Sequence, residues 1–552
     1  MDWKNVKILN DSDDEIPIDK HFKLIAGPGS GKTRFLINHI KHVLNESDKL
    51  NFGCKILCIT HTNIAVDTIK TRLNNTINEV EVSTIHSFLY EHIVKPYLWI
   101  LNEDFEQNLL DMVYVGEIIP SFSLIPNPRK YFMPHDQYYK LKKIFWNYDD
   151  GKIILQSKDS FQYLFIKQFK CNCWDKGKLS HDDVLYFAYK ILEKNSKIID
   201  ILRVKFPYIF IDEFQDISNL QFEILKLIFQ KNVIVGFIGD PAQSIYSFQG
   251  ANMELFLDVG STLNVYTIEN NFRSNENIVN VLNNVRNDNL INQKSMSDET
   301  SDIPKIFVGS PLEAYNYTKS KVDFVNILSY THDYLNKLYF EISGINYDVR
   351  DKFNIFINFN NDDRNLRVVN VIKSIEYFLE FDIRKALNTI NFSYRATIYE
   401  NDNEFLLKKL FTLVENYDNF YDLSCTEFYN NFIYEENIEQ FSKISRNNVK
   451  NIFDSLKYKD ILINIKDNDS KFFRTIHSCK GDEFDNVLLL LESEIDLNFI
   501  LSPNIFNVEK YRIYYVAISR AKNNLFINVP FLSESKIDKL NEKGFEVKYL
   551  KN

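Results

Sequence analysis

Ala26-Gly27-Pro28-Gly29-Ser30-Gly31-Lys32-Thr33 stands between an apolar run, Phe22 to Ala26, and a run of helical character, Arg34 to Leu44. A strand that turns through glycines into a helix is the setting of a phosphate-binding loop. The glycines let successive backbone N–H groups face one anion, and the helix presents the positive end of its dipole to the same point. Within this pattern Lys32 neutralises the β- and γ-phosphates and the Thr33 hydroxyl ligates Mg²⁺, so Ala26 to Arg34 is read as the nucleotide-binding stretch. The plain alternative is a glycine-rich turn before an ordinary helix. The full pattern at a strand-to-helix junction argues against it.

Working outward, Lys55-Ile56-Leu57-Cys58-Ile59-Thr60-His61-Thr62-Asn63 is a short apolar strand ending in polar residues, and Ile64 to Leu73 continues as a helix. Val82-Ser83-Thr84-Ile85-His86-Ser87-Phe88 repeats the design. Apolar runs return at Tyr208 to Glu213 and Val233 to Asp240, each ending in carboxylates, and ligands of parallel α/β sheets lie at such carboxyl ends. A second, weaker α/β signal runs through Ile306 to Val308, Val325 to Tyr330, Thr475 and Asn486 to Leu491, and finishes with a strand at Leu525 to Val529. Between these lie stretches rich in aromatics and poor in glycine, with helical periodicity at Tyr138 to Trp146, Asp183 to Leu192 and Val368 to Phe381.

The expected architecture is α/β: two parallel-sheet cores of RecA type, each interrupted by a mostly helical insertion. The boundaries are 1–95, 191–275 (first core), 96–190 (its insertion), 276–350, 466–552 (second core) and 351–465 (its insertion). There is no internal repeat and no low-complexity linker.

A chain of 552 residues exceeds what one core can hold, and 45% hydrophobic with 25% charged residues excludes wholesale disorder. No apolar run reaches ~18 residues and the N-terminus lacks a signal-peptide layout, so a cytoplasmic protein with no membrane partner is expected. Six scattered cysteines imply no disulfide framework; Cys171 and Cys173 form the only close pair, with no further zinc or iron–sulfur ligands beside them. The net charge of −10 means that any contact with nucleic acid comes from a local groove rather than bulk positive charge.

Asp212-Glu213-Phe214-Gln215-Asp216, at a strand end, supplies what ATP hydrolysis needs beside a phosphate loop: Asp212 for the Mg²⁺ shell and Glu213 to position or deprotonate the attacking water. An acidic strand end alone is commonly a solvated turn. Gly239 to Ala251 adds Gln243, a candidate γ-phosphate sensor, and the rings of Tyr246 and Phe248, which can stack bases.

This order of motifs resembles the superfamily 1 helicases of the UvrD/Rep family. The resemblance runs in segments over nearly the whole chain, through Ala26 to Thr33, Ile59 to Lys70, Ser83 to Phe88, Asp212 to Asp216, Ile238 to Ala251, Ile268 to Asn277, Thr475 to Val487 and Tyr511 to Lys522. It implies ATP with Mg²⁺ in a cleft between two cores, and single-stranded or partly duplex DNA as partner. Arg273 and Arg520 match the two γ-phosphate arginines, Phe272 the ring that stacks on adenine, and Glu483 a carboxylate near the ribose. Gln215 and Gln243 match residues that link nucleotide to strand groove. His61, Tyr246 and Phe248 stand where the family places rings on the bases, and Thr62, Asn63, His86, Ser87 and His477 match positions near the strand backbone. Read without the family, such rings are more often core.

The sequence departs from the family in four places. The upstream glutamine that reads the adenine edge is missing, since the first glutamine is Gln107. His61 replaces a Phe, Gln249 an Arg and Asp482 a Leu. The compact build, with no nuclease domain expected after the last motif, resembles the UvrD-like helicase subunit of the Gabija anti-phage defence system, which partners a separate OLD-family nuclease. Two functions are therefore expected: a DNA helicase or translocase moving 3′→5′, or a DNA- and nucleotide-sensing ATPase that controls a nuclease with little unwinding. A P-loop kinase or transport ATPase gives no account of Gln243, Arg273 and Arg520.

Overall fold

The computed structural model describes residues 6–104, 117–118, 144–157, 170–171, 173–174, 178–229, 232–259, 263–287, 290–297, 302–342, 348–359, 364–394, 397–436, 438, 442–445, 447–466 and 472–550. The first sheet contains β1 (Lys7–Leu9), β2 (Phe22–Ala26), β3 (Ile56–Thr60), β4 (Val80–Thr84), β5 (Tyr208–Ile211), β6 (Ile234–Gly239) and β7 (Asn264–Ile268). Their order is β1-β7-β2-β6-β5-β3-β4, and every pairing is parallel. The second sheet holds β8 (Lys305–Val308), β9 (Asn326–Ser329), β10 (Phe473–Thr475), β11 (Phe484–Leu490), β12 (Ala521–Val529) and β13 (Glu546–Tyr549), ordered β10-β9-β11-β12-β8-β13 and again all parallel. Two parallel cores flanked by helices are thus present.

Parallel strands are covered on both faces, which explains why the central ones read as unbroken apolar runs. Along β2, β3 and β5, alternate residues go to opposite sides: Leu24, Cys58 and Phe210 join one core cluster, while Ile25, Leu57, Ile59, Ile209 and Ile211 join the other. In the second sheet Phe307, Ile327, Leu488 and Phe526 face one way and Ile306, Leu328, Leu489 and Ile527 the other. Helix α1 (Lys32–Glu46) buries Phe35, Leu36, His39, Ile40 and Val43, the three-and-four spacing of one helical face. Helix α2 (Asn63–Leu73) follows β3 and buries Val66, Ile69 and Leu73.

The insertion into the second core is helical throughout its described elements, for example Arg364–Leu379, Ile383–Ser393 and Asn403–Glu415, and it has a core of its own built on Val368, Ile372, Leu410, Phe428 and Tyr458. Within the first insertion α3 (His181–Lys194) begins in a capping box from Ser180 and Asp183 and covers the expected helix at Asp183 to Leu192. The helix expected over Tyr138 to Trp146 is corrected. Ile144–Asp149 pairs antiparallel with Lys152–Ser157 as a hairpin, while 138–143 fall outside the described residues. Its turn is Asp150-Gly151, with φ of 45° and 78°, the left-handed pair that a two-residue hairpin loop requires. The second sheet does not finish at Leu525 to Val529 either, because Glu546–Tyr549 adds β13 beside β8.

Candidate active site

β2 runs into the phosphate loop with no residue to spare. Gly29 and Gly31 sit at φ 72° and 82°, and Gly31 caps α1 without any side-chain hydrogen bond, so the first N–H groups of α1 face the cleft. A Cβ on Gly29 would lie 2.5 Å from Asn271 Oδ1, because the segment after β7 packs onto the loop. Phe272 N donates to Gly29 O (2.9 Å), while Asn271 Nδ2 and Gln293 Nε2 both donate to Pro28 O at 3.1 and 2.9 Å. Lys32 Nζ donates to the carbonyls of Ala26 and Gly27, each at 3.1 Å. Desolvation draws its pKa down, against the pull of Glu213, Asp240 and Asp212. The turn before β2 lies alongside: Arg34 is paired with Asp13, and a Cβ on Gly31 would meet Ser12 at 3.0 Å.

The carboxylates leave β5 toward the same point. Asp212 N donates to Ile59 O at 2.8 Å, and Glu213 N to Asp212 Oδ1 at 3.0 Å. Glu213 has φ 52° and ψ 40°, a left-handed conformation that costs a non-glycine residue about 1 kcal/mol or more and recurs at functional positions. Its Oε2 accepts from Gln215 Nε2 at 2.5 Å. Burial pushes the Asp212 carboxyl up and Glu213 adds to the shift. Burial acts on Glu213 in the same sense, yet the Lys480 and Lys32 ammonium groups outweigh it and hold Glu213 low.

The opposite wall contributes cations, from the segment after β7 and from the second core. Arg273 Nη2 donates to Glu483 Oε1 (2.7 Å) and its Nη1 to Ser519 O (2.9 Å). Helix α4 (Glu276–Arg286) follows Arg273, and α5 (Glu509–Ile518) leads to Arg520, whose Nη2 donates to Gln243 Oε1 at 3.0 Å. Burial, then Arg273, lowers the Arg520 pKa to about 10, so it is still charged at neutral pH. Lys480 carries no role in the sequence reading, although the motif around it does. Its Nζ is ion-paired with Asp216, donates to Gln243 O at 2.9 Å, and lies 3.8 Å from Glu213 Oε2 and 4.8 Å from the Tyr246 ring centre. Asp482, where the family has Leu, is ion-paired with Arg474 at 2.5 Å.

Four candidate nucleic-acid residues form one ring cluster. His61 and Tyr246 stack at 5.0 Å and 11°; Phe248 meets Tyr246 at 6.0 Å and His477 edge-on at 5.5 Å. Phe248 is about half exposed. Thr62 instead caps α2, accepting from Ala65 N, and Asn63 is exposed at the first helical position. His86 lies apart, edge-on to His181 at 5.1 Å, with its pKa lowered to about 3 by burial and then His181.

Loop, carboxylates, cations and rings border one cavity of about 650 Å³, lined among others by Gly29, Lys32, Thr33, Asp212, Glu213, Gln243, Phe272, Arg273, Glu483 and Arg520. Tyr246, His61 and His477 reach its lining, whereas Phe248, Asn63 and His86 do not. The oxygen donors Thr33 and Asp212 on this wall suit a small hard dication such as Mg²⁺, which takes hydroxyl and carboxylate oxygens and keeps the rest of its shell for phosphate and water. Among the described residues no helix is long and apolar enough to cross a membrane.

Comparison with known proteins gives two family matches: the UvrD/REP helicase N-terminal domain over residues 14–264 and the UvrD-like helicase C-terminal domain over residues 316–530. The chain is 24% identical to the probable DNA helicase II homolog of Mycoplasma capricolum subsp. capricolum, over 92% of this chain and 82% of that protein. It is also 24% identical to the ATP-dependent DNA helicase Rep of Buchnera aphidicola subsp. Acyrthosiphon pisum, covering 90% and 84%. A third relative, Gabija protein GajB of Bacillus cereus, matches at 24% over 92% of this chain and 93% of its own length.

Proposed function

Since the chain belongs to the UvrD/Rep-type superfamily 1 helicases, we propose that it is an ATP-driven motor that moves 3′→5′ along single-stranded DNA and parts duplex ahead of it. ATP-dependent DNA helicase or translocase activity is the family's; direction and division of labour are the proposal. The observation that carries it is the convergence of the loop and carboxylates of the first core with Arg273, on the segment leading into the second core, and Arg520 of the second on a single cavity.

Lys32 and the N–H groups at the start of α1 hold the β- and γ-phosphates, and Phe272, half-exposed at the rim, offers a face to the base. Mg²⁺, which Thr33 and Asp212 would hold, would supply positive charge beside the phosphates. Glu213, kept ionised by Lys480 and Lys32, accepts a hydrogen bond from the attacking water and orients it in line with the leaving group. Charge building on the γ-phosphoryl oxygens is met by Arg273 and Arg520, which leave Glu483 and Gln243 to do so. Because Lys480 contacts Asp216, Gln243 and the Tyr246 ring at once, a base displacing His61 from Tyr246 shifts the group that holds the carboxylates.

A second reading, a DNA-sensing ATPase that controls an OLD-family nuclease, is favoured by the nearly full-length match to a Gabija protein and by the Arg474–Asp482 pair where the family has Leu. Strand displacement measured beside strand-stimulated ATP hydrolysis separates the two. A motor displaces in proportion to hydrolysis, and hydrolysis without displacement rejects the motor in favour of the sensor.

A further inference from the structure

The short stretch Asp240 to Tyr246 leaves the first sheet at the end of β6, yet it is gripped by the second core. Ala242 and Ile245 belong to the second core's apolar cluster, Arg512 Nε donates to Ser244 O at 2.7 Å, and Lys480 and Arg520 hold the two oxygens of Gln243. One contact in this set serves neither phosphate nor strand. Arg286, the last residue of α4, donates from Nη1 to Asp240 Oδ1 at 2.7 Å, with both side chains buried.

Asp240 is the junction of a continuous chain of hydrogen bonds. Its Oδ2 accepts from Gln243 Nε2 at 2.7 Å, its Oδ1 also accepts from Ala242 N at 3.1 Å, and its own N–H donates at 3.0 Å to Gln215 Oε1, whose amide nitrogen holds Glu213. A carboxylate can only accept, whereas a glutamine amide has one accepting and one donating end. Facing an ionised Asp240, Gln243 must turn its nitrogen inward and its oxygen outward, toward Arg520. Turned the other way, the amide would present its NH₂ to a guanidinium that has only donors. A fully buried carboxylate is costly unless it is paired. Arg286 is that partner.

We infer that Arg286 is a positioning residue for hydrolysis: by keeping Asp240 an acceptor it fixes which end of Gln243 meets Arg520, so α4 sets the polarity of the link between the two cores. The inference rests on the ATPase reading of the cleft, which wild-type hydrolysis and its loss in Lys32→Ala test separately. The experiment compares Arg286→Met, Arg286→Lys and the double variant Arg286→Met/Asp240→Asn, in DNA-stimulated steady-state hydrolysis and in thermal melting. Arg286→Met should lower kcat about thirtyfold or more while changing KM for ATP by less than about threefold, with a Tm drop of about 5 °C or more. Arg286→Lys, which keeps the charge, should recover at least a third of kcat. The double variant removes the unpaired charge and should regain Tm but not kcat, since the carboxamide that replaces the carboxylate can both donate and accept and no longer dictates how Gln243 is turned. If kcat returns together with Tm, Arg286 is a packing residue and the inference is overturned. Unchanged kcat in Arg286→Met, or an Arg286→Lys as inactive as Arg286→Met, overturns it equally.

Discussion

The two parallel sheets share an architecture and differ in what their strand ends carry. In the first, β2 and β5 end in a glycine loop with Lys32 and in Asp212-Glu213, the groups that in the proposed function bind phosphate and prepare water before anything moves. On the opposite wall, formed by the second core and the segment leading into it, the cations that reach the cavity are already engaged: Arg273 by Glu483, Arg520 by Gln243, Lys480 by Asp216. The same fold is thus used once as a seat and once as a lever. A cation parked on a neighbour contributes to the transition state only when the cleft rearranges, so binding and turnover are separable by mutation.

That separation predicts the largest effects. Lys32→Ala should reduce hydrolysis to below about a thousandth of wild type, ~4 kcal/mol, and weaken nucleotide binding, whereas Glu213→Gln should lose turnover to a similar degree and keep binding. Arg520→Ala, on the opposite wall, should cost about 10²-fold or more in kcat with the nucleotide Kd little changed. Fluorescent-nucleotide titration beside steady-state hydrolysis checks all three, and an Arg520→Ala that binds as poorly as Lys32→Ala would erase the distinction between seat and lever.

A smaller effect belongs to the rings. Phe248→Ala should weaken single-stranded DNA by about 1–3 kcal/mol and blunt DNA stimulation while basal hydrolysis persists, because this ring lies off the cavity lining. Unaltered stimulation would return Phe248 to a packing role.

The cores should also differ in acid. His39, between Phe22, Phe35 and Phe210, is the one histidine in the buried set of the described residues, and burial, with His42, lowers its pKa to about 3. The unfolded chain takes up that proton from about pH 6.5 downward. The fold's advantage is therefore complete above pH 6.5 and shrinks as pH falls toward 3, by about 2 kcal/mol between pH 6.5 and 5. His39→Leu should reduce this slope in urea titrations, leaving the share that His86 carries, and an equal slope in the variant would move the acid sensitivity elsewhere.

The least effect concerns the base. A ring such as Phe272 offers a stacking face with no donor or acceptor to discriminate, so GTP should support hydrolysis within roughly tenfold of ATP in kcat/KM, about 1.4 kcal/mol. The turn at Asn10 to Asp14 lies close by, with Asn270 Nδ2 donating to Asn10 O at 2.5 Å and Asp13 paired with Arg34. A hundredfold preference for ATP in the same assay would hand base recognition to that turn.

Much of the first core could be read because its signals are local: a glycine pattern, an acidic strand end and apolar runs of the right length. What escaped was short or relational. Lys7–Leu9 is too brief to show a period, and Glu546–Tyr549 is half-exposed, so neither stands out as a strand. The hairpin at Ile144–Ser157 did carry a signal, Asp150-Gly151, but the helical periodicity of Tyr138 to Trp146 pointed to a helix instead. Arg286 and Lys480 belong to a different class of omission. An arginine ending a helix is ordinarily a solvated complement to the dipole, and nothing in the one-dimensional order tells that Asp240 waits 46 residues away.

The strand order described above also dictates when this protein becomes a protein. The strand that feeds the phosphate loop, β2, is flanked by β6 and β7, which are synthesised roughly 200 residues later. At about 5–20 residues per second, Phe22 to Ala26 waits roughly 10–40 s at the ribosome with both edges unpaired. During that interval a continuous apolar strand is an open template for pairing with other chains. The nascent chain is therefore expected to depend on holding factors until β7 has emerged, and slowing translation just after it should favour native assembly over aggregation.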